Sequence, residues 1–284
     1  MQERRRNSSS ARYHRILTAV DGSLNAHAAA RYAIALAQAC EATLFVAGVA
    51  TSDMTTRDEE ALAQSTGGLI SDADGQGVAA HPLIERGEVV KALDVLARTH
   101  HIDLVMTASR HADAEHRYFL RSVPQRLMAA LGISLLIVRV VHLGVLAHPR
   151  EILVPVIGGE FDNAERASLV SRLAERFHAR VLVFHAFETL AQPGQPVPYE
   201  AGARQVQTFV QRLRQAGVEP RVRIVTGAPV GDAIMHEVAR HRHDLIVMGA
   251  SQRSLFTERR RGNPVEEIMR QTPCDLFVHR PRRG

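Results

Sequence analysis

Two glycines and the residues beside them form the part of this sequence best suited to holding a phosphate. The run Asp244-Leu-Ile-Val-Met248 predicts a buried parallel strand, and Gly249 follows it directly. Gly262 and Asn263 precede an apolar stretch that predicts a helix, whose free N–H groups would face an anion. A glycine has no Cβ, so a ligand can approach its backbone closely. These features predict a phosphate cradle that includes Gly249, Ser251, Gly262 and Asn263.

The sequence repeats itself once, with the corresponding segments in the same order. Arg15-Ile-Leu-Thr-Ala-Val-Asp21-Gly22 matches Glu151-Ile-Leu-Val-Pro-Val-Ile157-Gly158, an offset of 136 residues (151 − 15). Leu135–Arg139 matches Leu276–Arg280 with an offset of 141 (276 − 135). A period of this length is too long for a solenoid unit and fits one domain. It predicts a basic flexible tail at 1–12, a first domain at 13–141 and a second at 150–281.

Each copy alternates apolar runs of strand length with helical stripes, which predicts an α/β fold. Strands are expected near 15–20, 43–49, 79–84, 103–108 and 135–138, then near 152–156, 180–187, 221–225, 245–248 and 276–279. Helices are expected near 29–40, 89–101, 123–131, 164–177, 200–216, 230–241 and 265–270. The pattern predicts two tandem, doubly wound, Rossmann-like parallel sheets. Glycine and proline predict mobile loops at 67–77 and 189–198.

The closing strands of the two copies are expected at sheet edges, where unpaired backbone groups seek a partner. The repeat allows Leu135–Val138 and Leu276–His279 to pair with each other inside one chain. We therefore expect a pseudo-twofold monomer, and a homodimer of such chains stays open as a further level of assembly.

Several motifs recur in one order across the chain. They are Ile-Leu-x-x-Val-Asp-Gly-Ser at 16–23, the turns at 87–88 and 227–229, Asp-Leu-Ile-Val-Met-Gly-x-Ser at 244–251, and Thr-Pro-Cys-Asp-Leu-Phe-Val at 272–278. With them, the chain from His14 to Arg280 resembles a tandem universal stress protein. The resemblance implies a five-stranded parallel sheet per domain, of the adenine-nucleotide alpha-hydrolase-like kind. It also implies ATP or AMP binding without a demanding chemical step, and a role in stress survival or regulation.

The nucleotide signature of that family is divided between the halves. It reads Gly, two residues, Gly, nine residues, Gly, then Ser or Thr; the second half has Gly249, Gln252, Gly262 and Asn263 at these places. Ile157 stands where the resemblance implies an aspartate that meets the nucleoside. Adenine would then rest against the backbone near Val156, and a bound nucleotide would be held mainly by its phosphates.

The first half keeps the aspartate, Asp21, but its loop lacks the glycines of the nucleotide signature. Matching 103–109 to 244–251 with one extra residue in the second copy gives it Thr107, Arg110, Arg121 and Ser122. Such side chains would crowd a triphosphate, so Asp21 and Ser122 are the weaker candidates. Nucleotide binding is therefore expected through the second half.

Three functions remain open at this point. The first is a non-enzymatic nucleotide-sensing stress protein, with at most weak ATP hydrolysis; the second is an interaction or scaffold module without nucleotide. The third is a hydrolase or ligase of the wider superfamily, for which Gly158-Gly159-Glu160 falls short of the required serine- and glycine-rich loop. No nucleophile elbow or P-loop is present, and Ser23 is interpreted as a helix N-cap. We expect no catalytic residue.

Composition and charge narrow the class of partners. Hydrophobic residues make up 45% of the chain, and no apolar stretch reaches the roughly 18 residues of a membrane span. The N-terminus has no apolar segment typical of a signal peptide, so a cytoplasmic protein is expected. Cys40 and Cys274 fit reduced core residues.

The net charge of +5 is attributed to arginines at the solvated ends of the chain, Arg4–Arg6 and Arg280–Arg283. It is not interpreted as a surface that binds nucleic acid. Arg259–Arg261 is either an exposed loop or a phosphate clamp beside Gly262. The histidines lack the spacing of a metal site, so no metal is expected except Mg²⁺ carried by a nucleotide.

Overall fold

One ten-stranded sheet runs through the whole molecule. The computed structural model describes residues 13–109, 122–143, 148–157, 163–187, 199–250 and 264–283. The strands lie in the order β3-β2-β1-β4-β5-β10-β9-β6-β7-β8. Their bounds are β1 Arg15–Val20, β2 Thr43–Ala50, β3 Ala80–Arg86, β4 Leu104–Ala108, β5 Ser134–Arg139, β6 Glu151–Pro155, β7 Arg180–Phe187, β8 Arg221–Thr226, β9 Leu245–Gly249 and β10 Asp275–Arg280.

Helices cover both faces of this sheet, and each face buries its own apolar cluster. The helices are α1 Leu24–Cys40, α2 Thr56–Gly75, α3 Val89–Thr99, α4 Val123–Ala130, α5 Asn163–Phe177, α6 Tyr199–Gln215, α7 Val230–His241 and α8 Pro264–Gln271. Within each half the strands pair in parallel. The α/β class and doubly wound topology predicted from the sequence are confirmed.

The two halves join through β5 and β10, which pair antiparallel. Ile137 lies opposite Val278, and the difference between their numbers (278 − 137) is 141, the same as the repeat offset of these strands. This pair therefore lies where a twofold axis relating the halves would pass. The predicted pairing of the closing strands within one chain is confirmed.

Buried polar contacts reinforce the seam between the halves. The hydroxyl of Tyr32 donates to Asp275 Oδ2 at 2.6 Å, and the backbone N–H of Val141 donates to Asp275 Oδ1 at 2.8 Å. Across the same seam, Tyr13 donates to Glu165 Oε1 at 2.8 Å. The seam is thus held by side chains as well as by backbone pairing.

The prediction of a loop at 67–77 is wrong, because α2 continues to Gly75. Thr55 caps the helix in a reciprocal capping box with Asp58. Leu62 and Leu69 are buried on one helix face against the core. The cap and this apolar period outweigh Gly67 and Gly68, which together cost about 2 kcal/mol in a helix interior. The other predicted loop, at 189–198, lies outside the described residues.

The interpretation of Arg280–Arg283 as a solvated end is also wrong in part. Arg280 is buried, and its Nη2 donates to the carbonyls of Leu131 at 3.0 Å and Ile133 at 2.5 Å. This side chain therefore ties the last strand to the loop before β5. Cys40 and Cys274 are both buried thiols, as expected.

Candidate functional site

Each half has a topological switch point at its first strand. The chain connections that follow this strand lead to one neighbour on one side and, later, to another neighbour on the other side. In the first half β1 separates β2 from β4, and in the second β6 separates β7 from β9. Ligands of open parallel sheets bind in the crevice outside the carboxyl ends of the strands at such points. The ends concerned are Val20 and Ala108 in the first half, and Pro155 and Gly249 in the second.

The first-half crevice carries Asp21 in a tight turn. Its Oδ1 accepts a hydrogen bond from the backbone N–H of Ser23 at 3.0 Å, and Gly22 between them has φ +76°. Ser23 Oγ accepts from Ala26 N at 3.2 Å, so its predicted capping role is confirmed. The Asp21 side chain is exposed, and Ser122 stands at the N-cap of α4.

The sheet register corrects the match between the two loops. Leu104 and Leu245 lie at the same level of β4 and β9, an offset of 141 (245 − 104). The next contacts agree, since the N–H of Ser109 donates to Val138 O at 2.8 Å and that of Ala250 to His279 O at 2.9 Å. The residue matching Gly249 is therefore Ala108 and not Thr107. The extra residue assumed in the sequence match does not exist.

In the second half, the open side of Gly249 faces the guanidinium of Arg166 on α5. A Cβ added at Gly249 would lie 3.2 Å from Arg166 Nη1. The same Nη1 donates to the carbonyl of Pro155 at 3.0 Å, and the Arg166 Cζ lies 5.0 Å from the centroid of the Phe209 ring. Arg166 therefore bridges the carboxyl ends of β6 and β9 at the switch point.

Arg166 is charged despite being buried. Its side chain lies in the layer between the sheet and helices α5 and α6, and burial lowers the pKa of the guanidinium to about 10. A group with this pKa is protonated at neutral pH. The crevice therefore contains a fixed positive charge next to a glycine.

Val156, the predicted neighbour of adenine, is buried and its backbone is already engaged. The carbonyl of Val156 is hydrogen-bonded to His185 Nδ1, and its N–H donates to Phe184 O at 2.8 Å. Ile157, which follows, is partly buried and packs on the core on the α7 and α8 face. Of the predicted second-half residues, Val156 and Gly249 are thus brought to the same edge of the sheet. Ser251, Gly262 and Asn263 lie outside the described residues, as do Arg110, Arg121, Gln252 and Arg259–Arg261.

Arg166 and His185 are the residues that sequence reasoning missed. The copies align with an offset of 136 at β1 and β6 (151 − 15) and 137 at β2 and β7 (180 − 43), so Arg166 takes the place of Ala29 or Ala30. The same alignment puts His185 in the place of Gly48. A position-by-position comparison of the two copies, for polar side chains that replace alanine or glycine at buried positions, would have found both.

Two kinds of site are not seen in the part of the chain that the structure describes. No group of three or more His, Cys, Asp or Glu side chains there is arranged to hold a metal ion. Nor does any described helix combine the length and apolar character needed to cross a membrane.

The sequence matches the model of the universal stress protein family twice, over residues 12–139 and 149–280. The chain belongs to the universal stress protein family. No curated protein matches it.

Solved structures share the tandem arrangement. A universal stress protein from Archaeoglobus fulgidus DSM 4304 is 16% identical, with 95% of this chain and 96% of that one covered and a TM-score of 0.66. A putative universal stress protein from Pseudomonas aeruginosa UCBPP-PA14 is 14% identical, with 95% and 94% covered and a TM-score of 0.65. The cytoplasmic domain of a prokaryotic cation chloride cotransporter is 9% identical, with 96% of each chain covered and a TM-score of 0.61. At these identities the likeness is one of fold.

Proposed function

We propose that this universal stress protein is a non-enzymatic regulatory protein of the stress response that binds ATP or AMP through its second half. The observation that carries the proposal is the pairing of Gly249 with the buried Arg166 guanidinium at the switch point between β6 and β9. A fixed positive charge at this place favours an anionic ligand. The predicted contacts are Val156, Gly249, Ser251, Gly262 and Asn263, with Asp21 and Ser122 as weaker ones in the first half.

The proposal includes no catalytic residue and no resident metal; Mg²⁺ would enter only with the nucleotide. A cytoplasmic location and the absence of a nucleic-acid partner belong to the same proposal. The lack of a catalytic residue is supported by the lack of nucleophile-elbow and P-loop motifs in the sequence. The lack of a nucleic-acid partner is supported by the mixed signs of charge along the helices.

Titration of the full chain with ATP, ADP and AMP by calorimetry tests the proposal, beside mass spectrometry of ligand carried through purification. Gly262→Asp places a carboxylate at the predicted helix N-terminus and should abolish nucleotide binding, because it repels phosphate. The matched control is Arg121→Asp at the corresponding first-half position, which should change the affinity little. Wild-type ATP affinity in both variants, or no heat and no carried ligand in the wild type, would contradict the proposal.

A second candidate is an interaction module that works without nucleotide. It is favoured by the engagement of Val156 by His185 and of Gly249 by Arg166, since both predicted ligand contacts already have protein partners. The outer strands β3 and β8 expose Ile84 and Ile224, which are 48% and 39% accessible. The same titration separates the two candidates, because an interaction module gives no signal with any nucleotide.

A further inference from the structure

The two switch-point crevices differ by a paired exchange of residues. Where the second half has Arg166 and Gly249, the first has a small alanine on α1 (Ala29 or Ala30) and Ala108 on β4. The arginine and the glycine fit each other, because an added Cβ at Gly249 would crowd Nη1 at 3.2 Å. Such a contact is tighter than ordinary van der Waals packing. Gly249 therefore makes room for an arginine side chain of the same molecule.

The exchange means that the space over Gly249 is not left for a ligand in the second half. The guanidinium donates to the carbonyl of Pro155 and lies over the ring of Phe209, and it fills the space that a Cβ at position 249 would need. A cation that lies over an aromatic ring and donates a hydrogen bond to a carbonyl has its position, and that of its charge, fixed by both contacts.

The neighbouring part of the crevice, beyond the end of β7, is also filled. His185 is buried, bonded to the Val156 carbonyl and packed edge-on against Phe187 at 4.2 Å between ring centroids. Helix α6 approaches these rings at Gly202, where an added Cβ would meet His185 Nε2 and Phe187 Cε1, each at 2.6 Å. A flat heterocycle would have to displace these groups to rest against β7, so the space that a substitution at Arg166 opens lies over Gly249, between β6 and β9.

We propose that Arg166 determines the ligand class of the second half, by occupying the place of a nucleoside while offering positive charge to phosphate. The proposal rests on the nucleotide-binding function above and makes it narrower. The ligands are triphosphates and polyphosphates, recognised without regard to the base, and the nucleoside part of the ligand stays outside the crevice.

Competition at the full wild-type chain between ATP, GTP and inorganic tripolyphosphate tests this. Their Kd values should agree within about tenfold, which is the effect of one ordinary hydrogen bond to a base. Adenosine should bind no better than the buffer blank. A wild-type preference for ATP over GTP of more than about tenfold would overturn the proposal.

Arg166→Ala tests the same proposal by removing the side chain that fills the crevice. It copies the alanine of the first half, opens the space over Gly249 and removes the charge. We expect a gain of adenosine binding over the wild type, a preference for ATP over GTP and weaker binding of tripolyphosphate. Arg166→Met keeps most of the volume and removes only the charge, so it should weaken tripolyphosphate binding without gaining base preference. Arg172→Ala is the matched control, because Arg172 lies on the same helix in an exposed contact with Glu175.

The outcomes keep this inference apart from the proposed function. If the wild type binds none of the three phosphates, both the nucleotide function and the ligand class proposed here are wrong. If Arg166→Ala gains neither adenosine nor base preference, the proposal is wrong even when ATP binds. Should that variant fail to fold by circular dichroism, unchanged tripolyphosphate affinity in Arg166→Met would overturn it.

Discussion

At the scale of single residues, Glu165 shows how a buried carboxylate can be held at the seam between the halves. Its Oε1 accepts hydrogen bonds from the hydroxyls of Tyr13 and Ser134, and His279 Nε2 lies 3.5 Å away. Burial raises the pKa of Glu165, but the hydrogen bond and charge of His279, with Ser134 and Tyr13, lower it to about 2. The carboxylate is therefore stabilised in its charged form by residues from both halves.

This pKa predicts a loss of stability in acid. A folded-state pKa of about 2 lies below the ordinary value of 4.5, so the contribution is complete above pH 4.5 and is lost as the pH falls towards 2. The difference corresponds to about 3 kcal/mol in the free energy of unfolding. Urea unfolding of wild type and Glu165→Gln between pH 7 and pH 2.5 measures it.

We expect the wild type to be more stable than Glu165→Gln near pH 7, with the difference shrinking steadily below pH 4.5. Glu175→Gln is the control, because Glu175 is exposed on the same helix and should show no such convergence. A constant difference between wild type and Glu165→Gln down to pH 2.5 would show that the carboxylate is not held in this way.

At the scale of secondary-structure elements, two glycines inside helices separate the effect of helix propensity from the effect of close packing. Gly67 lies in α2 with no atom near the place of a Cβ, whereas Gly202 lies in α6 against His185 and Phe187. Gly67→Ala should raise the free energy of unfolding by about 0.5–1 kcal/mol, because alanine restricts the unfolded chain and favours the helix. Gly202→Ala should lower it by about 1–3 kcal/mol, because the added methyl overpacks the contact with β7.

Thermal and denaturant unfolding of the two variants measures both changes. The pair is its own control, since the substitution and the helical setting are the same. Stabilisation by Gly202→Ala, or destabilisation by Gly67→Ala, would mean that the packing around these helices differs from that described.

Elements with a clear apolar period could be predicted from the sequence, and those with a composition typical of loops could not. The strands β1, β4, β9 and β10 are buried on both faces. Their sequences are therefore continuous apolar runs, from which a strand can be predicted. Helix α2 is not predicted, because Gly67 and Gly68 are typical of a loop and mask the signal of the capping Thr55 and the buried Leu62 and Leu69.

The candidate site was harder to predict because its decisive contact joins residues far apart in sequence. Gly249 predicts the close approach of a ligand, which stays a prediction, whereas the group that lies beside it in the structure is Arg166 on α5. No local spacing connects these two residues. Only the sheet order, which puts β6 beside β9, brings them together.

At the scale of the whole molecule, the halves have diverged at their switch points while keeping the seam that joins them. The first half has the exposed Asp21 and small alanines, and the second has a buried cation beside glycine. Because β5 and β10 cover each other's edges, neither half presents its last strand to another chain.

The continuous sheet predicts that the halves unfold together. Ile137 and Val278 face each other at the centre of the seam, and each is 1% accessible. Unfolding of one half would therefore expose buried residues of the other half at the seam. Calorimetry of the full chain should show one transition whose van't Hoff and calorimetric enthalpies agree. Ile137→Glu buries a charge without a partner and should lower the stability of both halves together, by about 3 kcal/mol or more.

Val95→Glu is the matched control, because Val95 is 57% accessible on α3 and its replacement should leave the transition in place. Hydrogen exchange gives the decisive readout at the level of strands. In Ile137→Glu, protection should fall alike in β1 of the first half and β6 of the second, since each half loses the strand pairing that covers its last strand. Loss of protection confined to the first half, or two resolved transitions in the wild type, would mean that the halves are independent domains joined only at their edges.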